Sequence, residues 1–313
     1  MKITAIIIFF IYYNFTYSQQ TINPFLESIV KQFPNVRDTA ISTNGNEVFF
    51  SAQSVMGNTS AIMTVTKKDA VWSSPKVVSF SGQYFDIEPF LSSDGLTLYF
   101  ASNRPLDSNS KEVKDFDIWY VKRQSIKDAW SEPINMGSPV NSKNDEFFPS
   151  LTENKNIYFT MDNPQLNKKD DIYVSEYHKG KYTTPIPLDN SINSDGFEFN
   201  AYVSSDETFM IYTCYGRKDG FGSGDLYISY KSDDGWTQSK NLGDSINSNK
   251  MDYCPFIDTK SNILYFTSKR DNSKTSFDKP QTLDELLKEF YKYDNGLSRL
   301  YQVSVLELLT QKL

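Results

Sequence analysis

The chain has 313 residues, of which 39% are hydrophobic and 15% aromatic, and its formal net charge is −7. This much apolar material supports a folded core, so the composition excludes a disordered protein. The negative charge argues against nucleic acids and anionic membrane surfaces as partners, because both need a positively charged protein face.

The first residues have the pattern of a secretory signal peptide. Lys2 precedes an apolar run at residues 3–13, and small or polar residues follow at Thr16 and Ser18. The run is shorter than the roughly 20 apolar residues that cross a bilayer. We therefore expect residues 1–18 to be a leader cleaved after Ser18, and the mature protein to be secreted or periplasmic, with no membrane span.

Five segments of the remaining chain are similar to one another and recur at a period that is typical of propellers and other repeat arrays. Each contains a short apolar run after an anchor position, a turn rich in Asp, Asn and Gly, and a second run rich in aromatic and β-branched residues. The anchors are Thr39, Pro89, Pro149, Ala201 and Pro255. Their spacings of 50, 60, 52 and 54 residues indicate a constant scaffold with variable loops.

Two further strands complete a repeat. The third strand begins at an aspartate in "DIWYV", "DIYVS" and "DLYIS", namely at Asp117, Asp171 and Asp225. The fourth begins at an aromatic residue, which is Trp72, Trp130, Tyr182 or Trp236. Four antiparallel strands repeated radially form a β-propeller. We predict an all-β, five-bladed β-propeller in one domain, residues 19–313, with blades starting near residues 37, 86, 146, 198 and 252.

The last repeat lacks a fourth strand, because its third strand, "LYQVSVLELL", ends near the C-terminus. In most other repeats the aromatic residue of the fourth strand lies 19 residues before the next anchor. Counting 19 residues back from Thr39 reaches Gln20. We therefore predict that Gln19 to about Asn23 supplies the missing outer strand and closes the ring, which removes an exposed sheet edge.

An insertion at about residues 280–295 interrupts the last repeat with a helical pattern. Thr282 and Glu285 have the spacing of a capping box. The apolar stripe in helical register comprises Leu283, Leu286, Leu287 and Phe290. Because such a stripe usually faces the core of its own protein, we expect the helix to pack over one face of the propeller rather than bind a partner.

The two cysteines, Cys214 and Cys254, lie on neighbouring repeats. Export would permit a disulfide, but the sequence favours two buried thiols, because free cysteine is among the most buried residue types. The single histidine, His178, lies in a predicted hairpin tip with no nucleophile nearby. A triad with a histidine base is therefore not expected.

Three motifs carry a resemblance to a known family. They are "EPFLSSDGLTLYFASNR" at Glu88–Arg104, "GFGSGDLYIS" at Gly220–Ser229, and the tryptophan segment Trp130–Ser142. With these motifs, almost all of the mature chain resembles the WD-repeat-like blades of TolB-type propellers. The first repeat departs from the pattern, since it lacks the anchor proline. The resemblance implies a propeller that binds or scaffolds in the bacterial cell envelope, and it implies fold more than function.

A carboxylate stands three residues before four of the five anchors. These residues are Asp86, Glu146, Glu198 and Asp252. As a ring at the mouth of a central channel they could hold Ca²⁺, or supply the acid and base of a glycosidase. Alternatively, each could accept hydrogen bonds within its blade or pair with a basic residue that follows a second strand, such as Arg104, Arg217, Lys269 or Arg270. Recurrence at equivalent positions favours this structural role, because catalysis needs different residues at one place.

These patterns favour a monomeric, exported, non-enzymatic module without a catalytic site or cofactor, whose partner is an envelope protein or a polysaccharide. The alternative is a glycan-active hydrolase that uses the four carboxylates. One asymmetric pocket with two acids and exposed aromatic residues would favour the hydrolase. Carboxylates held in equivalent contacts in every blade would argue against it.

Overall fold

The computed structural model describes residues 21–107, 109–110, 112–164 and 170–306. These residues form the five-bladed β-propeller that the repeats predict, with each blade an antiparallel sheet. The expected leader, residues 1–18, lies outside the described residues. In the part of the chain that is described, no helix is long and apolar enough to span a membrane.

Each blade runs from an inner strand to a short outer one. Blade I consists of Asn35–Ile41, Glu47–Gln53, Ser60–Lys68, Val71–Trp72 and Lys76–Val77. Blade II consists of Asp86–Leu91, Thr97–Ser102, Asp117–Lys122 and Ile134–Asn135. Blade III consists of Asp145–Leu151, Ile157–Asp162, Asp170–Ser175 and Ile186–Pro187, with an extra hairpin of Tyr177–His178 and Lys181–Tyr182.

Blade IV consists of Phe197–Val203, Phe209–Tyr215, Asp225–Ser232, Gly235–Trp236 and Lys240–Asn241. Blade V consists of Asp252–Asp258, Ile263–Ser268, Arg299–Ser304 and Asn23–Pro24. Two helices complete the described structure, α1 at Glu27–Val30 and α2 at Leu283–Phe290. The second strand of each blade lies between the inner and third strands. These second strands supply most of the large buried side chains, including Phe49, Phe50, Phe100, Phe159, Tyr212 and Phe266.

The ring is closed by the N-terminal part of the chain. The outer strand predicted for Gln19 to about Asn23 is observed at Asn23–Pro24, where it pairs antiparallel with Tyr301 and Gln302 of blade V. Residues 19 and 20 lie outside the described residues. The outermost position of blade V is therefore filled from the opposite end of the chain.

The outer strands are shorter than the predicted fourth strands. Pro75, Pro133 and Pro185 stand immediately before the two residues that pair with the third strand in blades I, II and III. Proline cannot donate a ladder hydrogen bond, so the ladder is interrupted between the aromatic residue and these two residues. As a result Trp130 lies outside any strand and packs instead beneath the guanidinium of Arg123, 4.2 Å from its ring centre.

Helix α2 has the predicted capping box, in which Glu285 donates its backbone N–H to Thr282 and Thr282 donates its own to the Glu285 carboxylate. The prediction that its apolar stripe faces the protein core is wrong. Leu283 is 69% exposed and Phe290 is 62% exposed. The helix is held instead by Glu289, whose carboxylate accepts a hydrogen bond from the Lys274 backbone at 2.6 Å. Helical periodicity locates a stripe, but it does not say what covers it.

Each inner strand has a β-bulge one residue before its anchor, where the pairing register shifts. The bulged residues have left-handed φ angles of 49–60° and are Asp38, Glu88, Phe148, Asn200 and Cys254. This conformation costs a non-glycine residue about 1 kcal/mol or more, so the surrounding fold must hold it in place. Contacts among these residues from different blades place them at the propeller axis.

Candidate functional site

The propeller has two faces, which we name by their backbone. The hairpin face carries the turns between inner and second strands, at residues 42–46, 92–96, 152–156, 204–208 and 258–262. The base face lies at the other end, where the inner strands begin. Functional groups occur in three places: at the base-face seams between blades, on the axis, and in a funnel on the hairpin face.

The four carboxylates singled out by sequence lie at the start of the inner strands. Asp86, Glu146, Glu198 and Asp252 all have 0% exposure. In every case a serine four or five residues earlier contacts the carboxylate through its hydroxyl, and these serines are Ser81, Ser142, Ser194 and Ser248. Complete burial and a serine contact are thus common to the carboxylates of all four blades.

Arginine completes two of these sites. Arg104 donates to Asp86 at 2.6 Å, and Arg270 donates to Asp252 at 3.0 Å. The other two blades use different donors. Glu146 accepts the Ser142 backbone N–H at 3.1 Å, and Glu198 accepts a hydrogen bond from Cys214 at 2.9 Å.

The asparagine that precedes three of these serines ties neighbouring blades together. Asn141 accepts from the backbone N–H of Ile118 at 2.9 Å and donates to the Ile118 carbonyl at 2.9 Å. Asn193 and Asn247 make the same pair of bonds to the third strands of blades III and IV. The recurring Asn-Ser pair therefore fastens one blade's third strand and the next blade's inner strand to the same loop.

Burial changes the ionisation of these seams. It raises the pKa of Glu146 to about 7, although hydrogen bonds from Ser142 act in the opposite direction. The aspartate before the third strand of blade IV behaves similarly, since burial raises the pKa of Asp225 above its usual range. Asp225 accepts backbone hydrogen bonds from Phe221 and Gly222 across a turn, whereas Asp117 is bound by the side chains of Lys114 and Asn135.

A second polar cluster, which the sequence did not reveal, occupies the axis. Glu88 accepts hydrogen bonds from Arg37 at 2.6 Å, from the Asn200 amide at 3.0 Å and from the backbone N–H of Phe148 at 2.8 Å. Arg37 also contacts Asp38 at 2.8 Å. Burial raises the pKa of Glu88 to about 7 despite the neighbouring arginine.

In blade III the backbone N–H of the bulged residue has a different partner from those in blades I, II and IV. The bulged residues Asp38, Glu88 and Asn200 each donate their backbone N–H to a hydroxyl on the second strand of the preceding blade. For Phe148 of blade III, the equivalent position on the second strand of blade II is Ala101, which has no hydroxyl. The Glu88 carboxylate accepts that N–H instead, so this axial acid serves as a structural partner of three blades.

The hairpin face holds a funnel-shaped cavity of about 790 Å³. All five hairpins contribute to its wall, through residues such as Thr43, Asp94, Lys155, Ser205 and Lys260. Its aromatic lining consists of Phe90, Tyr99, Tyr120, Tyr177, Tyr182, Tyr202 and Phe256. Within the described residues, the lining includes neither the four seam carboxylates nor Asp38 and Glu88.

The funnel carboxylates are Asp94, Glu153 and Asp258. Asp94 accepts hydrogen bonds from the Ser92 hydroxyl and the Leu96 backbone, which hold its pKa below the usual range. Asp258 accepts a hydrogen bond from the Lys260 backbone at 3.0 Å. Two of the three acids therefore stabilise the turns that carry them.

Both cysteines are buried and unbridged. Cys214 belongs to the blade IV seam, whereas Cys254 lies on the axis, where it donates to Asn200 at 3.3 Å. His178 is 66% exposed at the side chain and contacts Glu176. In the described part of the chain, no group of three His, Cys, Asp or Glu residues is arranged to hold a metal ion.

Comparison with known proteins identifies the fold. No family model matches the sequence, and no curated protein matches it. Among solved structures, a glycoside hydrolase is similar at 9% identity and a TM-score of 0.54, with 79% of this chain and 91% of that chain covered. The α-L-arabinofuranosidase from Lactobacillus brevis is similar at 12% identity and a TM-score of 0.50, with 87% and 93% covered.

TolB proteins are also among the similar solved structures. The TolB from Acinetobacter baumannii has 12% identity and a TM-score of 0.48, and the match covers 86% of this chain. This chain spans about half of that protein, 54% of its length. At such low identities, the comparisons show a likeness of fold and do not assign an activity.

Proposed function

We propose that this chain is an exported, non-enzymatic binding module of the bacterial cell envelope, which takes a protein or glycan partner through the hairpin-face funnel. The main support for this proposal is the funnel, a cavity of about 790 Å³ with seven aromatic side chains in its wall. Concave, aromatic-lined sites with a few polar groups are typical of ligand binding.

The placement of the carboxylates supports binding over hydrolysis. A glycosidase needs two carboxyl groups about 5–9.5 Å apart that both reach the substrate. Here the seam carboxylates are fully buried in repeated contacts, and the axial Glu88 is engaged by three donors. We assign Asp86, Glu146, Glu198 and Asp252 a structural role. The competing hydrolase would have to use Asp94, Glu153 or Asp258 on the funnel wall.

The leader-like sequence of residues 1–18 and the resemblance to TolB-type blades support export and a place in the cell envelope. The charge of −7 argues against a nucleic acid as the partner. A single chain closes the ring by itself, with Asn23–Pro24 as the last outer strand. This closure supports a monomer, because the third strand of blade V is paired by the chain's own N-terminal strand rather than by a second copy.

The proposal is tested by capture of envelope components on the purified protein, with two charge-matched variants. Lys155→Glu/Lys260→Glu changes the funnel rim, whereas Lys218→Glu/Lys250→Glu makes the same change in exposed lysines outside the funnel. Capture that is lost only in the rim variant supports the proposal. Equal capture by both variants, no capture by the unmodified protein, or release of soluble sugar from envelope glycan would overturn it.

A further inference from the structure

Four tyrosines form one cluster where blades II and III meet on the funnel wall. Tyr99 and Tyr120 are paired across neighbouring strands of blade II, with ring centres 5.7 Å apart. Tyr177 and Tyr182 are paired in the extra hairpin of blade III, with ring centres 5.0 Å apart. All four tyrosines line the same cavity, and burial, together with the nearby Tyr177 and Tyr120, raises the pKa of Tyr182 to about 12. The two pairs are therefore neighbours.

Blade III differs from three other blades at the fourth-strand aromatic position, which belongs to this cluster. Tyr182 occupies the fourth-strand aromatic position, which is tryptophan in blades I, II and IV. A cationic side chain lies over each tryptophan, at centroid distances of 5.3 Å for Lys67–Trp72, 4.2 Å for Arg123–Trp130 and 4.8 Å for Lys231–Trp236. Among the described contacts, no cation lies over Tyr182, whereas Lys155 lies 5.4 Å from the ring centre of Tyr177 and Lys122 lies 5.1 Å from that of Tyr120. The ring at the fourth-strand position of blade III thus lacks the cation that covers its counterparts.

The tyrosine hydroxyls add polar groups to this surface. Within the described structure, none of the four hydroxyls makes a hydrogen bond to another protein group, and all four side chains are half-buried in the funnel wall. A tyrosine hydroxyl can both donate and accept. The surface therefore combines flat apolar ring faces with unused donors and acceptors at their edges.

The charges around the cluster define the ligand class. The funnel contains three lysines, Lys122, Lys155 and Lys260, and three carboxylates, Asp94, Glu153 and Asp258. These charges cancel, while the whole chain carries −7. An anionic ligand would meet a negatively charged protein with no positive excess at the site, and a cationic ligand would find no negative excess there. The complementary ligand is electrically neutral and rich in hydroxyl groups.

We propose that the tyrosine cluster of Tyr99, Tyr120, Tyr177 and Tyr182 is a binding site for a neutral glycan chain. The apolar faces of the sugar rings pack on the tyrosine rings, and the sugar hydroxyls bond the tyrosine hydroxyls. The inference rests on the proposed function, since it names the ligand of the same funnel. A protein ligand at this surface is a competing outcome.

The test measures affinity for four neutral polysaccharides, β-glucan, xylan, arabinan and mannan, with polygalacturonate as a charged comparison. Tyr177→Ala/Tyr182→Ala removes half of the cluster from a surface hairpin, and Tyr177→Phe/Tyr182→Phe keeps the rings but removes the hydroxyls. Tyr291→Ala is the control, because Tyr291 is 71% exposed on the C-terminal end of α2, away from the funnel. Thermal melts of each variant check that it is folded.

We expect the unmodified protein to bind at least one neutral polysaccharide. The alanine variant should bind at least about tenfold more weakly, as expected for the loss of an aromatic hot spot. The phenylalanine variant should have an intermediate affinity, and Tyr291→Ala should bind as well as the unmodified protein. Binding of polygalacturonate alone, or alanine-variant affinity equal to that of the unmodified protein, would overturn the inference. If no polysaccharide binds but the funnel-rim lysines still control capture of an envelope protein, the inference fails and the proposed function stands. If neither is seen, both fail.

Discussion

Replacing Asp86 by asparagine tests whether the seam carboxylates are structural. Asp86 and Arg104 form a buried ion pair at 2.6 Å, with side-chain exposures of 0% and 8%. The Asp86→Asn side chain keeps its shape but leaves the guanidinium without a counter-charge. Arg104 retains hydrogen bonds to Ser102 and to the Phe80 carbonyl, which hold it in place.

Breaking one side of a buried ion pair costs about 3–5 kcal/mol, because the remaining charge is desolvated and uncompensated. Asparagine can still accept a hydrogen bond, so we expect the lower end, about 3 kcal/mol. For a domain of this size each kcal/mol lowers Tm by about 2–4 °C, which predicts a decrease of about 6–12 °C. Urea unfolding gives the free energy, and envelope capture by the same variant below its Tm gives the function.

A double-mutant cycle with Arg104→Met isolates the pair. The double variant removes both charges, so its loss of stability should be smaller than the sum of the two single losses by about 1–3 kcal/mol. Capture should be unchanged in every folded variant, because Asp86 does not line the funnel. A stability loss below about 1 kcal/mol together with abolished capture would refute the structural role and make this carboxylate a functional group.

Three further predictions concern the buried Glu146, the strand that closes the ring and the binding of calcium. Because burial raises the pKa of Glu146 from 4.5 to about 7, the folded protein binds a proton that the unfolded chain has lost between these pH values, so stability should fall as pH rises from about 4.5 to 7. Glu146→Gln should make that fall shallower in urea titrations without abolishing it, because burial also raises the pKa of Glu88 to about 7. An unchanged pH profile would contradict the assignment. Phe25→Ala should lower the free energy of unfolding by about 3–5 kcal/mol. Phe25 is 8% exposed, and its ring centre lies 4.6 Å from that of Tyr265, beside the ring-closing strand Asn23–Pro24. A loss below about 1 kcal/mol would show that this contact does not hold the ring-closing strand. Calcium at millimolar concentration should leave Tm unchanged, since both oxygens of Asp86 and of Asp252 already have protein partners, and a rise of several degrees would reveal a cation site.

The fold was predictable because the repeat is visible in local chemistry. Turn residues, alternating apolar runs and the recurring Asn-Ser pair each report a contact within one blade or between neighbours. The length of the outer strands was not predictable from the aromatic positions, because the prolines that precede Lys76, Ile134 and Ile186 limit pairing. The burial of the apolar stripe of α2 was predicted wrongly for another reason. Amphipathic spacing shows that a helix has an apolar side, but it does not specify which surface, if any, packs against that side.

The functional surfaces depend on contacts between blades, and the sequence does not predict which residues make these contacts. The positions of Asp86 and Asp252 could be read from the repeat, but their arginine partners could be proposed only as a set of alternatives. The axial cluster was missed because Arg37, Glu88 and Asn200 are far apart in sequence and meet through bulges that interrupt strand periodicity. A polar residue in an otherwise apolar strand, one position before the anchor, was the available signal.

Hydrogen–deuterium exchange with a captured envelope component shows whether the hairpin face binds the partner. We expect slower exchange in the hairpins at residues 92–96, 152–156 and 258–262 and in the extra hairpin at 177–182. Exchange should be unchanged on the base face, at residues 216–224 and in α2. Protection confined to the base face, with the hairpin turns unaffected, would show that the partner does not bind in the funnel.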